Sequence, residues 1–307
     1  MENSIYDLII IGGGPAGLTA GLYAQRGKLK TLLIEKLIPG GQILTTDWVD
    51  NYPGFPEGVS GFDLVEKMRS QTERFELPIV SDEISSLSVK GHDKVIAGTQ
   101  NTYTAKSVII ASGAVHKKLG VPGEALLGGK GVSYCATCDG PFFRDQEVAV
   151  IGGGDTAVQE AIFLTRFTKK VYLIHRRDQY RACRMLQDKA LANEGIQPIW
   201  NAQVEKIIGT EEVEGVRLKM VDGSPDRGLP VKGVFIFVGI KPNTEWLSGL
   251  LALDGEGFIK TNDRMATSVR GIFAAGDVRH KIFRQISTAV GDGATAAFAA
   301  ERYLETL

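Results

Sequence analysis

Two glycine-rich stretches, each directly after a short apolar run, constrain the fold of this chain more than any other feature. In the first, Asp7–Ile11 reads as a buried strand, Gly12–Gly17 (GGGPAG) follows at once, and a helical stretch continues to about Arg26. A second strand, Thr31–Ile34, ends at Glu35. This order predicts a dinucleotide-binding unit, because the glycines allow a tight turn, a close approach of backbone N–H groups to a pyrophosphate, and close helix packing.

The same unit recurs in the second half of the chain. The strand Glu147–Ile151 leads into Gly152–Ala157 (GGGDTA), and a helix to about Thr165 precedes the strand Val171–Ile174. An internal repeat of this kind predicts two nucleotide-binding domains of one architecture.

The residue after the second strand differs between the two copies. The first copy has Glu35, whereas the second has His175, followed by Arg176, Arg177 and later Arg181. A carboxylate binds ribose hydroxyls and repels a 2′-phosphate, whereas arginines pair with a 2′-phosphate through charge-assisted hydrogen bonds. We therefore expect FAD at the first site and NADPH at the second. The alternative for the basic run is a solvated surface face.

A Cys-x-x-Cys sequence, Cys135-Ala136-Thr137-Cys138, precedes the second unit and is followed by Asp139. Because the chain has only one other cysteine, Cys183, the pair is a better candidate for a redox pair than for a structural staple. Few cysteines favour a reducing compartment, where such pairs are usually catalytic or bind metal. Cys183 has no apparent partner and reads as a spare thiol.

Composition sets outer limits on function. The chain has 307 residues and a formal net charge of −1, which favours about two domains and indicates neither a nucleic-acid nor an anionic-membrane partner. The apolar run Leu8–Ile11 is too short for a signal peptide or a membrane span. We expect a cytoplasmic protein.

The remaining segments predict the other elements of the two domains. They are a long loop over Pro39–Gly61, a helix around Phe62–Phe75, a small antiparallel meander over Ile79–Ile110, a helix over Ala182–Asn193, a strand ending at Gly276-Asp277, and a long helix from Arg284-Gln285 to about Leu304.

Together these motifs resemble the low-molecular-weight thioredoxin reductases of bacteria almost from end to end. The resemblance is carried by the GGGPAG loop with Glu35, Gly40-Gly41-Gln42, Cys135–Asp139, GGGDTA with His175–Arg181, and Gly276-Asp277 with Arg284-Gln285. The most specific sign is a CATCD sequence placed before the second glycine loop.

The resemblance implies an α/β fold of two Rossmann-like, three-layer ββα domains, with the NADPH domain inserted into the FAD domain. The implied boundaries are 1–116 and 243–307 for the FAD domain and 117–242 for the NADPH domain. It also implies a homodimer, and a rotation of the NADPH domain that lets hydride reach FAD in one orientation and the dithiol meet thioredoxin in the other.

The resemblance also implies roles for individual residues. Cys138 is the thiol next to the flavin, Cys135 attacks the disulfide of thioredoxin, and Asp139 is the general acid and base. The implied FAD-binding residues are Gly12, Gly14, Pro15, Ala16, Glu35, Gly41, Gln42, Asn51, Gly276, Asp277, Arg284 and Gln285. The implied NADPH-binding residues are Gly152, Gly154, Asp155, Thr156, His175, Arg176, Arg177 and Arg181. No metal is expected.

Two groups of alternatives stay open at this point. An enzyme of the same architecture could reduce another redoxin, take electrons from ferredoxin, oxidise a small dithiol with oxygen, or serve an alkyl hydroperoxide reductase, although the last carries an extra N-terminal redox module. A binding protein could hold zinc with Cys135 and Cys138. Zinc usually needs four ligands, and neither Cys183 nor the four histidines complete a set.

Overall fold

The structure is a computed structural model that describes residues 5–46, 48–49, 51–247 and 249–307. The chain divides into two compact units. Unit 1 comprises Met1–Val115 and Lys241–Leu307, and unit 2 comprises His116–Ile240. In sequence, unit 2 is therefore an insertion into unit 1.

Strands and helices alternate over residues 6–81 and 136–199, as α/β domains require, and strands follow one another over most of the remaining chain. The strands are β1 (Tyr6–Ile11), β2 (Thr31–Glu35), β3 (Ile79–Ser81), β4 (Ile84–Lys90), β5 (Asp93–Gly98), β6 (Thr102–Ile110), β7 (Ala114–His116), β8 (Val132–Ser133), β9 (Glu147–Gly152), β10 (Lys170–Ile174), β11 (Ile196–Ile199), β12 (Ala202–Gly209), β13 (Val213–Met220), β14 (Arg227–Pro230), β15 (Gly233–Phe237), β16 (Ile240–Pro242) and β17 (Ile272–Ala274). The α-helices are α1 (Pro15–Arg26), α2 (Gly61–Glu73), α3 (Ala136–Asp139), α4 (Asp155–Leu164), α5 (Arg184–Leu191) and α6 (Ile286–Leu304). Within the described ranges, no helix is long and apolar enough to cross a bilayer.

The main sheet of unit 1 has the strand order β3-β2-β1-β6-β5-β4, and β17 also pairs with β6. Pairing is parallel from β3 through β2 and β1 to β6 and between β6 and β17, and antiparallel from β6 through β5 to β4. The predicted antiparallel meander is thus confirmed for β4–β6 but wrong for β3. The chain reaches β3 through the crossover helix α2, and a helical crossover returns a strand parallel to its neighbour.

The apolar run of β1 is buried on both faces of this sheet, as a central parallel strand requires. Leu8 and Ile10 pack in one cluster with residues of α1 and α6, such as Ala296. Ile9 and Ile11 pack in a second cluster with the opposite face of β2 and with β5. The continuous hydrophobic stretch before the first glycine loop therefore holds that loop at the edge of a rigid sheet.

Unit 2 repeats this plan with a parallel sheet of order β11-β10-β9-β15-β8. Val148 and Val150 of β9 pack in a cluster with α4 and α5, and Ala149 and Ile151 pack in a cluster with the antiparallel sheet β12-β13-β14. The parallel sheet thus lies between a helical layer and a β layer. This arrangement confirms the predicted α/β class with Rossmann-like units.

The buried carboxylate of Asp82 joins β3 to the turn of the β5–β6 hairpin in unit 1. Asp82 is 3% exposed and accepts hydrogen bonds from the Thr99 hydroxyl, the Gln100 and Asn101 N–H groups and the Tyr103 hydroxyl, at 2.9–3.1 Å. Burial by itself raises the pKa of Asp82, but these hydrogen bonds outweigh burial and lower it. Asp82 therefore ties the end of β3 to the turn between β5 and β6.

We expect Asp82→Ala to lower the free energy of unfolding by about 2 to 4 kcal/mol, because it leaves buried donors without an acceptor. Because the folded pKa lies below the unfolded value, the Asp82 contribution is present above about pH 4 and is lost as the pH falls through the folded pKa. Urea unfolding at neutral and acidic pH measures both effects. The exposed Asp263→Ala is the control, and equal unfolding midpoints for the two variants would contradict the prediction.

Candidate active site

Cys135 and Cys138 are joined by a disulfide in unit 2, with Cα atoms 5.4 Å apart. Cys135 is the N-cap of α3, and the N–H of Cys138 donates to Cys135 Sγ at 3.2 Å. The Ser133 hydroxyl accepts from the Cys135 N–H at 3.0 Å and donates to the Cys135 carbonyl at 3.2 Å. The pair is half-buried on a fixed backbone, and a thiolate at Cys135 would already have one N–H donor in place.

Asp139 ends α3 and is held at the redox pair by the backbone. Its N–H donates to the Cys135 carbonyl at 3.1 Å, and its side chain is half-buried. A carboxyl group in this position is placed next to the residues that exchange protons when a disulfide opens and closes.

A buried carboxylate anchors the segment that precedes the redox pair. Glu124, 4% exposed, accepts from the Leu119 and Gly120 N–H groups at 3.0 and 2.7 Å and from the Tyr134 hydroxyl at 2.7 Å. Burial and then the Glu124 carboxylate raise the pKa of Tyr134, so this phenol stays a donor. Neither Glu124 nor Tyr134 was identified from the sequence. No local sequence motif distinguishes an acid whose hydrogen-bond donors lie on two separate turns. Glu124 thus connects Cys135 to the start of unit 2.

The second glycine loop rests on a buried histidine. The His175 ring packs against Gly153, where a Cβ would overlap it. Burial, and next the charge of Arg181, lower the pKa of His175, so the ring is neutral at neutral pH. Its Nε2 has no hydrogen-bond partner in the part of the chain that the structure describes. The His175 ring therefore packs against the second glycine loop on the side of Gly153.

The other predicted residues of this site are exposed around the loop. Arg176, Arg177 and Arg181 are exposed, as are Asp155 and Thr156 in the first turn of α4. Among the described atoms, nothing lies within 4 Å of the position that a Cβ on Gly154 would take. An open backbone at a helix N-terminus with arginines beside it suits a phosphorylated nucleotide.

The first glycine loop is defined by close backbone contacts. Gly12 has a φ of +108°, and a Cβ there would overlap the carbonyl oxygen of Ala111. A Cβ on Gly17 would overlap the carbonyl oxygen of Gly12. Only glycine allows α1 to begin this close to the end of β1.

Glu35 lies against this loop, and its predicted role in binding ribose hydroxyls stays a prediction. Its Oε2 accepts from the Gly13 N–H at 2.6 Å and its Oε1 from the Leu37 N–H at 3.0 Å. Each carboxylate oxygen retains a further lone pair, so the group can still accept ribose hydroxyls.

The other residues predicted to bind FAD form a chain of contacts across unit 1. The nearest atom to a Cβ on Gly14 would be Gly41 Cα at 4.0 Å, and a Cβ on Gly276 would lie 2.9 Å from that of Ala16. Further links join Gln42 to the Ala114 carbonyl, Arg284 Nε to the Asp277 carbonyl at 3.5 Å, and Asn51 Nδ2 to Gln285 Oε1 at 3.1 Å. Pro15 occupies the first position of α1, and Gln285 is the N-cap of α6. The structure therefore brings these candidates together in pairs: Gly14 with Gly41, Ala16 with Gly276, Asp277 with Arg284, and Asn51 with Gln285.

A buried charge cluster, which sequence reasoning missed, surrounds Asp277. Lys281, with a side chain only 8% exposed, lies 3.6 Å from Asp277 Oδ1 and 3.0 Å from Asp292 Oδ2, and Arg279 lies 3.2 Å from Asp292 Oδ1. A possible signal was Asp292 itself, since an acid in an otherwise small and apolar helical stretch needs a charged partner.

Within this cluster, Asp277 has the oxygen atom that is suited to accept a hydrogen bond from a ligand. Burial raises the pKa of Asp277, and the charges of Lys281 and Arg284 only partly oppose that rise. Its Oδ1 is buried and has no hydrogen-bond partner within the described ranges. A buried acceptor without a donor suits a hydroxyl group of a ligand such as the ribityl chain of FAD.

The structure offers no counterpart to the zinc alternative. In the part of the chain that the structure describes, no group of three or more His, Cys, Asp and Glu side chains could hold a metal ion. Cys183 is a free and exposed cysteine at the start of α5.

We expect Glu124→Ala to speed amide hydrogen exchange at Leu119 and Gly120 by about 10-fold or more, since two charge-assisted hydrogen bonds are lost. Tyr134→Phe leaves both amide acceptors in place and is expected to change exchange at these positions far less. Exchange followed by mass spectrometry measures both, with the exposed Glu194→Ala as control. Unchanged protection in Glu124→Ala would show that the carboxylate does not hold this turn.

Comparison with known proteins assigns this arrangement to a family. A family model described as pyridine nucleotide-disulphide oxidoreductase matches residues 6–293. A thioredoxin reductase of Listeria monocytogenes serovar 1/2a is 48% identical, over 100% of this chain and 96% of its own. A thioredoxin reductase of Bacillus subtilis strain 168 is 47% identical, over 100% and 97%. The crystal structure of thioredoxin reductase from Streptococcus pyogenes MGAS5005 matches with a TM-score of 0.95 and 47% identity over 100% of both chains.

These matches cover both glycine loops and the redox pair, and they confirm the resemblance on which the sequence analysis relied. The chain belongs to the pyridine nucleotide-disulphide oxidoreductase family and, within it, to the thioredoxin reductases.

Proposed function

We propose that this protein is a flavin-dependent enzyme that uses NADPH to reduce the disulfide of thioredoxin. The observation that carries the proposal is the Cys135–Cys138 disulfide, placed in the same compact unit as a glycine loop with exposed arginines. Membership of the thioredoxin reductases supports the two cofactors and the protein substrate.

FAD binding is proposed for unit 1, where a bound FAD would supply the two-electron relay between NADPH and the disulfide. The residues proposed to hold it are Gly12, Gly14, Pro15, Ala16, Glu35, Gly41, Gln42, Asn51, Gly276, Asp277, Arg284 and Gln285. Two observations support this assignment: within the described ranges Asp277 Oδ1 has no hydrogen-bond donor, and the backbones of Gly14 and Gly41 approach each other closely.

NADPH binding is proposed for the second glycine loop in unit 2. Gly152 permits a close approach to the Phe237 carbonyl, Gly154 leaves the backbone accessible, and Arg176, Arg177 and Arg181 supply charge for a 2′-phosphate. The first turn of α4, with Asp155 and Thr156, adds the N-terminal N–H groups of a helix. His175 contributes to this site by supporting the loop.

Once the Cys135–Cys138 disulfide is reduced to a dithiol, thiol–disulfide exchange with thioredoxin follows. The Cys135 thiolate attacks one sulfur of the thioredoxin disulfide, and a mixed disulfide forms as the other thioredoxin sulfur leaves. Cys138 attacks Cys135 Sγ, so the intramolecular disulfide re-forms and thioredoxin departs as a dithiol. Asp139 moves the protons that these steps consume and release. The N–H of Cys138 stabilises the attacking thiolate, which supports the assignment of Cys135.

Four further features are proposed with this function. The domains are 1–116 with 243–307 for FAD and 117–242 for NADPH, which the division of the chain into two compact units supports. The protein is proposed to act as a homodimer. It is also proposed to act in the cytoplasm, and its low cysteine content supports this location. The rotation of the NADPH domain stays a prediction.

An anaerobic titration tests the electron donor. We expect NADPH to bleach the flavin of the purified yellow protein at a much lower concentration than NADH, because only NADPH carries the 2′-phosphate that the arginines recognise. Absorbance at neutral pH follows the bleaching, and added oxidised thioredoxin should restore the colour. Bleaching by reduced ferredoxin but not by NADPH would overturn the donor assignment.

Serine variants test the redox pair. We expect Cys138→Ser and Cys135→Ser each to abolish steady-state reduction of thioredoxin, since the disulfide can no longer form. Flavin reduction by NADPH in the same preparations should remain intact and serves as the internal control. Turnover near the wild-type rate in either variant would remove the pair from the mechanism.

A further inference from the structure

The inference concerns Asp155 and rests on the proposed NADPH site. Asp155 opens α4 directly after the second glycine loop, where a carboxylate would repel a phosphate bound at the helix N-terminus. This carboxylate has a partner in another segment, because Asp155 Oδ1 accepts the N–H of Cys183 at 2.7 Å. Cys183 is the N-cap of α5, whose own side chain makes no capping hydrogen bond. Asp155 thus satisfies a donor at the start of a neighbouring helix.

Two backbone hydrogen bonds continue the same contact. The carbonyl of Gly153 accepts the N–H of Arg181 at 2.6 Å and the N–H of Ala182 at 3.0 Å. Residues 181–183, which we call the docking segment, are therefore fixed on Gly153 and Asp155 by consecutive N–H groups. The loop proposed to receive the pyrophosphate and the arginine proposed to receive the 2′-phosphate are tied together by this contact.

The His175 ring packs against Gly153 and keeps the contact between Gly153 and the docking segment in one geometry. The His175 ring lies directly under Gly153, and the charge of Arg181 is among the causes that lower the pKa of His175. Arg181 is itself exposed, as is Arg184 in the first turn of α5. The side-chain contact between the loop and the docking segment is the hydrogen bond that Asp155 accepts, and Gln187 Nε2 of α5 donates to the Ala182 carbonyl at 2.7 Å.

We propose that Asp155 is a positioning residue that fixes the docking segment on the glycine loop, and that it thereby sets the preference for nucleotides with a 2′-phosphate. Arg181 can pair with a 2′-phosphate only if its backbone is held at a fixed distance from the loop that binds the pyrophosphate. If the docking segment is mobile, each binding event must order it, and this ordering costs conformational entropy. Because the segment carries Arg181, the cost weakens the contact with the 2′-phosphate and leaves the other nucleotide contacts unchanged.

Two variants separate the hydrogen bond from the charge. Asp155→Ala removes the acceptor, whereas Asp155→Asn retains an oxygen acceptor without charge. The matched control is Asp188→Asn, because Asp188 is an exposed acid on α5, the helix that follows the docking segment. Calorimetry on the oxidised, FAD-loaded enzyme measures Kd for adenosine 2′,5′-bisphosphate and for AMP, and neither probe involves turnover.

We expect the wild type, Asp155→Asn and Asp188→Asn to prefer the bisphosphate by a similar factor. In Asp155→Ala this factor should fall by about fivefold to tenfold, with little change in Kd for AMP. An unchanged factor in Asp155→Ala, or an equal loss of affinity for both probes, would overturn the inference. A fivefold or greater loss of this preference in Asp155→Asn would also overturn the inference, and this result is available even if Asp155→Ala fails to fold.

Failure of the underlying proposal gives a different result. If the wild type binds both probes equally, or neither of them, the NADPH site itself is misassigned. If the wild type prefers the bisphosphate and Asp155→Ala keeps that preference, only the role of Asp155 is wrong.

Discussion

The structure of both units depends on a close approach of backbone at the turn between the first strand and the first helix. In unit 1 a Cβ on Gly17 would overlap the carbonyl of Gly12, and in unit 2 a Cβ on Gly152 would overlap the carbonyl of Phe237. These contacts leave the loop N–H groups accessible at the edge of a rigid parallel sheet. Because the sheet is buried on both faces, it holds the loops in fixed positions. The exposed side chains around the loops are therefore held in fixed positions as well.

Carboxylates that accept backbone N–H groups are the second recurring device. Glu35 holds the first glycine loop, Glu124 holds the turn before the redox pair, and Asp155 holds the docking segment. In each case an acid binds backbone of a different segment, so it fixes a loop that has no strand or helix of its own. A charge-assisted hydrogen bond to N–H is strong enough to order such a loop and leaves other acceptor positions for a ligand.

The two nucleotide sites differ in how their charges are arranged. In unit 1, Lys281 and Arg279 balance the acids Asp277 and Asp292 in a half-buried cluster next to the N-terminus of α6. In unit 2 the arginines are exposed and His175 is the buried member. The first arrangement suits a cofactor that stays bound, and the second suits a nucleotide that must enter and leave at each turnover.

The sequence by itself determined the two glycine-loop units, the α/β class and the redox pair, because periodicity and short-range spacing encode them. It also placed Glu35 and the arginines at the ends of the second strands. Only the tertiary structure decided that β3 pairs in parallel with β2, that His175 lies under its loop, and that Asp155 bonds to the docking segment. These features depend on contacts between segments far apart in the chain, and a residue type does not reveal which backbone it will meet. The same limit explains why the cluster around Lys281 was missed, since its charges are paired across a helix and a loop.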